Sequence, residues 1–333
     1  MRLCVIGSRG HQGYVVDGLR EMPSVRVVGI SAGSEDDDVG ELTGTFGDLG
    51  RGAEVYSDYR LMLDELDPDV VSIAGPLEEH ARMCIEALRR GVHVFCEKPV
   101  ATTLKDLKRL RNAYDEADVR FAAMMGMRYD PAFHAAWRAV RDGAIGRVRL
   151  MNAQKSYKLG RRPGYYWRRG TYGGTIPWVG SHAIDWIRWF SGGRFKTVYA
   201  THTARFNNDH GELEASALCH FTLTDDVYAS ASIDYLRPAT AATHGDDRIR
   251  VVGTKGIVEV RKGRVFLINN ETNGVVELEA GCGRQIFRDF VEQIEGRGAA
   301  LIDAEETFEV TEACLLARRS ADLGHAIIFE GMN

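Results

Sequence analysis

The first 120 or so residues alternate short apolar runs with amphipathic stretches, and few folds are compatible with that pattern. Leu3-Cys4-Val5-Ile6, Val25 to Ile30, Asp69 to Ala74 and Val92 to Cys96 are brief, β-rich and apolar without alternation. Between and after them lie stretches whose spacing predicts helices: His11 to Glu21, Leu61 to Leu66, His80 to Arg90 and Leu104 to Asp118. Strands that do not alternate are buried on both faces, as in a parallel sheet with helices on either side. Repeated strand–helix units of this kind predict a doubly wound sheet.

After about residue 122 the texture changes. Ala132 to Arg141 reads as a helix ended by Gly143, and long apolar/polar alternation follows. It covers Arg147 to Tyr157, Thr197 to Phe206, Ala215 to Thr224, Val227 to Asp234, Arg248 to Val252 and Gly256 to Val260. Alternation means one packed face and one open face, as in an antiparallel sheet. Helices are predicted over Ile286 to Glu295 and Ala304 to Leu323. The fold class is therefore α/β: an N-terminal doubly wound parallel sheet over 1–122, then an α+β domain with a large, mostly antiparallel open sheet over 123–333. A chain of 333 residues accommodates two domains at roughly 150 residues each.

Charge and cysteine usage narrow the function classes. A formal net charge of -5 gives no electrostatic reason to expect nucleic acid. The six cysteines are scattered and form no CxxC pair, which suits reduced thiols and argues against a disulfide framework or a zinc site; no metal is expected. No apolar run is long enough for a signal peptide or a membrane span, so a cytoplasmic protein is expected.

Directly after the first strand, Gly7-Ser8-Arg9-Gly10-His11-Gln12-Gly13 opens the first helix. Glycines here permit a tight turn and let backbone N–H groups approach a pyrophosphate at the helix N-terminus. The spacing is GxxGxxG, one residue longer than GxGxxG, and such turns also occur with no ligand. The choice between NAD and NADP is read at the end of the second strand, where Ser31-Ala32-Gly33-Ser34-Glu35-Asp36 stands. No carboxylate sits at the strand end itself, and Arg9 can meet a 2′-phosphate. Glu35 or Asp36 can equally curl back to the ribose and repel it, or remain a solvated loop acid. The balance leans slightly to NAD.

Cys96-Glu97-Lys98-Pro99 lies at the carboxyl edge of the strand Val92 to Cys96, where ligands bind in open α/β sheets. A lysine there can hold a substrate oxygen and favour an alkoxide-like transition state, although a lysine before a proline is often only surface. Pro99 fixes the turn and can adopt a cis bond.

These pieces, in order, resemble the Gfo/Idh/MocA family of sugar and polyol dehydrogenases. The glycine turn is followed by Gly75-Pro76 with His80, Gly91-Val92-His93-Val94 leading into Glu97-Lys98-Pro99, and Arg128 with Pro131. Gly143-Ala144-Ile145-Gly146, Trp167-Arg168, Gly173-Gly174, His182 with Asp185, and Val252-Gly253-Thr254-Lys255-Gly256 complete the series. The resemblance implies a Rossmann domain, a C-terminal domain whose open sheet mediates homodimers or homotetramers, and a sugar or polyol pocket between the domains. It implies an NAD(P)-dependent oxidation in which Lys98 holds the substrate oxygen and His182 takes its proton. Asp185, three residues on, can orient His182 or serve a structural hydrogen bond. The cofactor cradle implied is residues 7–13 (Gly7, Ser8, Arg9, Gly10, His11, Gln12, Gly13), Ser31, Gly75, Pro76, His80, Glu97 and Lys98. For substrate contact the candidates are Lys98, Arg128, Tyr157, Trp167, Trp178, His182 and Asp185. Lys155, Tyr165, Tyr166, Arg168 and Tyr172 are further pocket residues or packing, and Arg162 or Arg168 can meet a substrate anion.

The sequence departs from the family in one place. Members commonly carry an aspartate four residues before the histidine, where this chain has Trp178. Indole cannot relay a proton, so three outcomes stay open. They are a dehydrogenase with a two-residue site, a redox-assisted lyase or hydrolase acting on a glycoside, and a dinucleotide-binding regulatory protein without turnover.

Overall fold

A computed structural model describes residues 1–35 and 37–330. The chain forms two compact units, one comprising 1–126 with 284–308 and the other 127–283 with the stretch from 309 onward. The boundary thus falls after Gly126 rather than at 122. The expectation of a single uninterrupted second domain is corrected too, because 284–308 packs into the first unit.

The first unit runs β1 (Arg2–Ile6), α1 (Gly13–Glu21), β2 (Arg26–Ser31), α2 (Val39–Phe46), β3 (Glu54–Tyr56), α3 (Tyr59–Leu66), β4 (Val70–Ile73), α4 (His80–Leu88), β5 (His93–Cys96), α5 (Leu104–Asp115) and β6 (Phe121–Ala123). Its strands pair in the order β3-β2-β1-β4-β5-β6, all parallel. Four of the five residues of β1 and all of β4 are buried, as the unbroken apolar runs require. Side-chain caps start the helices where local sequence dictates: Asp58 caps α3 and Thr103 caps α5. Strand order reverses beside β1, so the carboxyl ends of β1 and β4 flank the crevice in which such sheets bind ligands.

The second unit contains α6 (Pro131–Arg141), β7 (Val148–Tyr157), α7 (Arg169–Tyr172), α8 (Ser181–Ser191), β8 (Phe195–Thr203), β9 (Ser216–Leu223), β10 (Tyr228–Asp234), β11 (Gly245–Gly253), β12 (Gly256–Arg261), β13 (Arg264–Asn269) and β14 (Val276–Leu278). The chain continues through α9 (Ile286–Ile294), α10 (Ala304–Leu323) and β15 (Ile327–Ile328). Helix α9 belongs to the first unit, where Phe287 and Phe290 lie 5.4 and 5.3 Å from the Phe95 ring. The nine strands of the second unit's sheet run β14-β13-β12-β11-β7-β10-β9-β8-β15, antiparallel except for β7 with β10. One face is packed through Met151, Ala153, Ala231 and Ile233, while Leu150, Leu218 and Tyr228 stand exposed on the other. Helix α8 lies against the packed face with nine of its eleven residues buried.

Candidate active site

In the first unit the glycine turn is shaped by steric necessity. Gly7 has φ +74°, and a Cβ there would lie 2.6 Å from the Ala74 carbonyl at the end of β4. Gly33, just beyond β2, approaches Gly75 so closely that a Cβ would meet its Cα at 2.6 Å. Only glycine lets these strand ends converge. Gln12 is buried beneath the turn, donating to the Gly7 carbonyl at 3.0 Å and accepting from Ser72 Oγ at 2.6 Å.

Arg9 is committed within the same unit. Its backbone N–H donates to Ala74 O at 2.7 Å, and its Nε pairs with Asp37 Oδ1 at 2.6 Å. Its Nη2 donates to Ser34 Oγ at 3.1 Å. The other Asp37 oxygen accepts the Gly33 N–H at 3.0 Å. The acid that curls back to the strand end is therefore Asp37. Glu35 is exposed, and Asp36 lies outside the described residues. A run of four acids from Glu35 to Asp38 signals the possibility but not the member, which depends on the path of the backbone.

Glu97 is fully buried behind the turn. Its Oε2 accepts the His11 backbone N–H and meets His11 Nδ1, both at 2.6 Å, while Oε1 accepts the Lys98 N–H at 2.8 Å. Burial alone would raise its pKa, but His11, by charge and hydrogen bond, and then Lys98 outweigh it and hold the carboxyl down to about 2. The Lys98–Pro99 peptide is cis, and Lys98 is 3% exposed. His80 is wholly buried, with its ring nitrogens 2.9 Å from Pro99 O and 3.0 Å from Gly75 O, so it ties the two strand-end turns together. Burial lowers its pKa, and a neutral ring donates to one carbonyl at a time. Ser31 is buried as well. The side chains of Gln12, Ser31, His80 and Glu97 are interior, and those of Gln12, His80 and Glu97 hold the backbone of these turns.

In the second unit a π-helical turn, Ile176–Gly180, leads into α8. A side chain at Gly180 would run into Ile233 of β10, so glycine sets how closely the helix start approaches the sheet. His182 sits in the first turn of α8, 4% exposed. Both Asp185 oxygens face Arg128, with Nε to Oδ1 and Oδ2 at 3.0 and 3.1 Å and Nη2 to Oδ1 at 2.6 Å. Both side chains of this pair are 0% exposed, and the Arg128 guanidinium lies 5.5 Å from the Trp189 ring centre. Arg128 and Asp185 are therefore an interior ion pair.

Trp178 is buried and meets Tyr166 edge-on at 6.1 Å. Trp167 is 49% exposed, and Arg168 is exposed beside it. Lys155 is buried on β7 and pairs with Asp247 on β11 at 2.5 Å. Tyr157 shares with Asp247 the lining of a cavity of about 810 Å³. Glu214 was not singled out by the sequence. It is buried, accepts the Tyr172 hydroxyl and the Thr175 N–H (2.9 Å), and pairs with Arg169 at 2.7 Å. Burial opposes its charge, yet these partners hold its pKa below the ordinary value. It thereby fixes the 169–175 segment that precedes His182. Among the described residues no group of three or more His, Cys, Asp or Glu could hold a metal, and no helix is long and apolar enough to cross a membrane.

Comparison with known proteins places this geometry. Residues 46–125 match the family model for the oxidoreductase family, NAD-binding Rossmann fold, and residues 133–259 match the GFO/IDH/MocA C-terminal domain. The glycine turn lies before the first matched stretch. A solved structure of a proposed oxidoreductase from Thermotoga maritima is 46% identical, covers 99% of this chain and 100% of its own, and superposes with a TM-score of 0.94. The uncharacterized oxidoreductase YrbE of Bacillus subtilis is 32% identical over 61% of this chain and 58% of its own length. An inositol 2-dehydrogenase of Salmonella typhimurium is 31% identical over 44% of this chain and 42% of its own. The matches thus span roughly half the length of these curated relatives.

Proposed function

That this chain belongs to the Gfo/Idh/MocA oxidoreductase family is the premise from which we propose that it oxidises a carbinol of a sugar or polyol with NAD. The observation that carries the proposal is the Lys98 turn. It lies at the carboxyl end of β5, and Glu97 behind it is bonded to the glycine turn through His11. The cradle fits a dinucleotide, because Gly7, Gly33 and Gly75 leave backbone where any side chain would intrude. When bound, NAD supplies the acceptor for the hydride from the carbinol carbon. Lys98 Nζ donates a hydrogen bond to the carbinol oxygen, and the His182 imidazole takes the hydroxyl proton as the carbonyl forms. Trp178 cannot share that proton, which leaves it to His182.

Arg9 is held by Asp37, which supports NAD over NADP: the cation suited to a 2′-phosphate already has a carboxylate partner. The exposed Leu150, Tyr199, Leu218 and Tyr228 of the second unit support a homodimer or homotetramer formed through its sheet. Light scattering of the purified protein measures that directly.

NADH formation across a panel of sugars and polyols tests the proposal. Lys98→Ala and His182→Ala are each expected to lower kcat/KM by about 10²–10⁴. An unchanged rate in Lys98→Ala refutes the mechanism. The buried Trp178 favours a second reading, a dinucleotide-binding protein without turnover. It predicts tight NAD binding and no product from any sugar, whereas cleavage without NADH accumulation would mark a lyase or hydrolase cycle.

A further inference from the structure

We infer that the substrate carries a carboxylate and that Arg162, with Lys158 beside it, receives that group; the inference rests on the sugar dehydrogenase reading above. The argument begins with a charge imbalance. Arg9, Arg128, Arg169 and Arg188, all at least partly buried, each pair with a carboxylate. Arg162 and Lys158 are half-buried as well, yet among the described residues no carboxylate pairs with either. Arg162 Nη2 donates to the Lys158 carbonyl at 3.0 Å, and Lys158 Nζ donates to the Ala241 carbonyl. Neutral carbonyls hold the two groups in place but leave their charge uncompensated. Withdrawing a cation from water without a counter-charge is costly, so such a pair calls for an anion from outside the chain.

The surroundings favour a hydroxylated anion. The Arg162 guanidinium lies over two aromatic rings, 4.8 Å from the centre of Tyr235 and 5.5 Å from that of Tyr166. Arg162 Nε is buried with no acceptor, and the Tyr235 hydroxyl is buried with no partner. Asp247 Oδ1, whose sister oxygen binds Lys155, is also buried and unpartnered. Two donors and one acceptor are thus left open, on the loop that follows β7, just past β10, and on β11. Arg162 and Lys158 match a carboxylate, while Tyr235 and Asp247 match hydroxyl groups. Tyr157, whose ring lies 6.4 Å from that of Tyr235, and Asp247 line a cavity of about 810 Å³, large enough for a monosaccharide, and Arg162, Lys158 and Tyr235 stand outside that lining. His244, 4.9 Å from the Tyr157 ring, reports the local field. Its pKa is lowered first by burial and then by Arg162, Lys158 and Lys155, against Asp247. A monoanion suits the site better than a phosphate dianion, because the Asp247 carboxylate nearby disfavours a second negative charge: burial raises its pKa, and its pairing with Lys155 opposes that rise.

Calorimetric titration of the protein preloaded with NADH tests the inference. The ligands are gluconate and glucuronate, set against glucose, glucitol and glucose 6-phosphate. The acids are expected to bind about tenfold tighter than the neutral sugars. Arg162→Met should bring that ratio close to one, while NADH affinity and melting temperature stay unchanged. Lys158→Met should give a smaller loss, and it carries the test if the arginine variant does not fold. Equal affinity for acids and neutral sugars, tightest binding of the phosphate, or no binding of any ligand overturns the inference. A preference for acids that survives in both variants overturns it too. Selective binding of acids by a protein that forms no NADH from NAD leaves the inference standing and removes the dehydrogenase reading instead.

Discussion

The two units differ in how completely they close their buried charge. Around the glycine turn of the first, charge closes on itself. Arg9 meets Asp37, and Glu97 meets His11 and the Lys98 backbone, so each acid also anchors a main-chain N–H. In the second unit Arg128 with Asp185, Lys155 with Asp247 and Arg169 with Glu214 close as well, while Arg162 and Lys158 are left without a carboxylate partner among the described residues. A closed pair fixes backbone and largely cancels its own charge, whereas an open cation attracts a ligand. The difference teaches which charged residues to read as scaffold and which as recognition.

The largest effect is expected where the sealed pair is broken. Arg128→Met or Asp185→Leu alone leaves one buried charge uncompensated and should destabilise the protein by about 3–5 kcal/mol. The double variant, with apolar groups of similar bulk, should recover most of that loss. Denaturant unfolding of the three proteins measures it. Single variants within about 1 kcal/mol of the parent would show that the pair is not isolated from water.

A smaller, pH-dependent effect is expected at Glu97. Its pKa is depressed from the ordinary value near 4.5 to about 2 in the folded protein. A depressed carboxyl contributes stability above its unfolded pKa and loses it as pH falls towards the folded one. The window is therefore roughly pH 4.5 down to 2, with full stabilisation above it. Melting temperature measured across that range should fall less steeply in Glu97→Gln than in the parent. Parallel curves would remove Glu97 as the source.

Much of this scaffold was legible in the sequence, and the gaps have physical causes. Unbroken apolar runs gave β1, β2, β4 and β5, and alternation gave β7 to β12, because burial on two faces or on one leaves a distinct pattern. In helix α8, Ser181, Asp185, Arg188 and Ser191 recur at helical spacing, but this polar stripe does not face open solvent: Ser181 and Asp185 on it are buried. The return of 284–308 to the first unit is a matter of tertiary packing of Phe287 and Phe290 on Phe95, which no local pattern encodes. At the site, residue types were readable but partners were not. Asp185 stands three residues from His182 on one helix, yet its carboxylate turns to Arg128, 57 positions away in the chain. Sequence spacing shows what can meet, and burial decides what does.

Asp37 gives the finest test of the closed arrangement. Its carboxylate holds Arg9 at 2.6 Å and the Gly33 N–H at 3.0 Å, so removing its charge while keeping its shape should loosen Arg9 without dismantling the turn. Asp37→Asn is expected to raise the NADP-to-NAD ratio of kcat/KM by about tenfold, since a released guanidinium can meet a 2′-phosphate and the acid that repels it is gone. The double variant Asp37→Asn with Arg9→Met should lose that gain, which separates the freed arginine from the lost repulsion. A ratio that moves less than about twofold in Asp37→Asn would mean that the pair only braces the loop. Cofactor choice would then have to lie elsewhere along the strand ends.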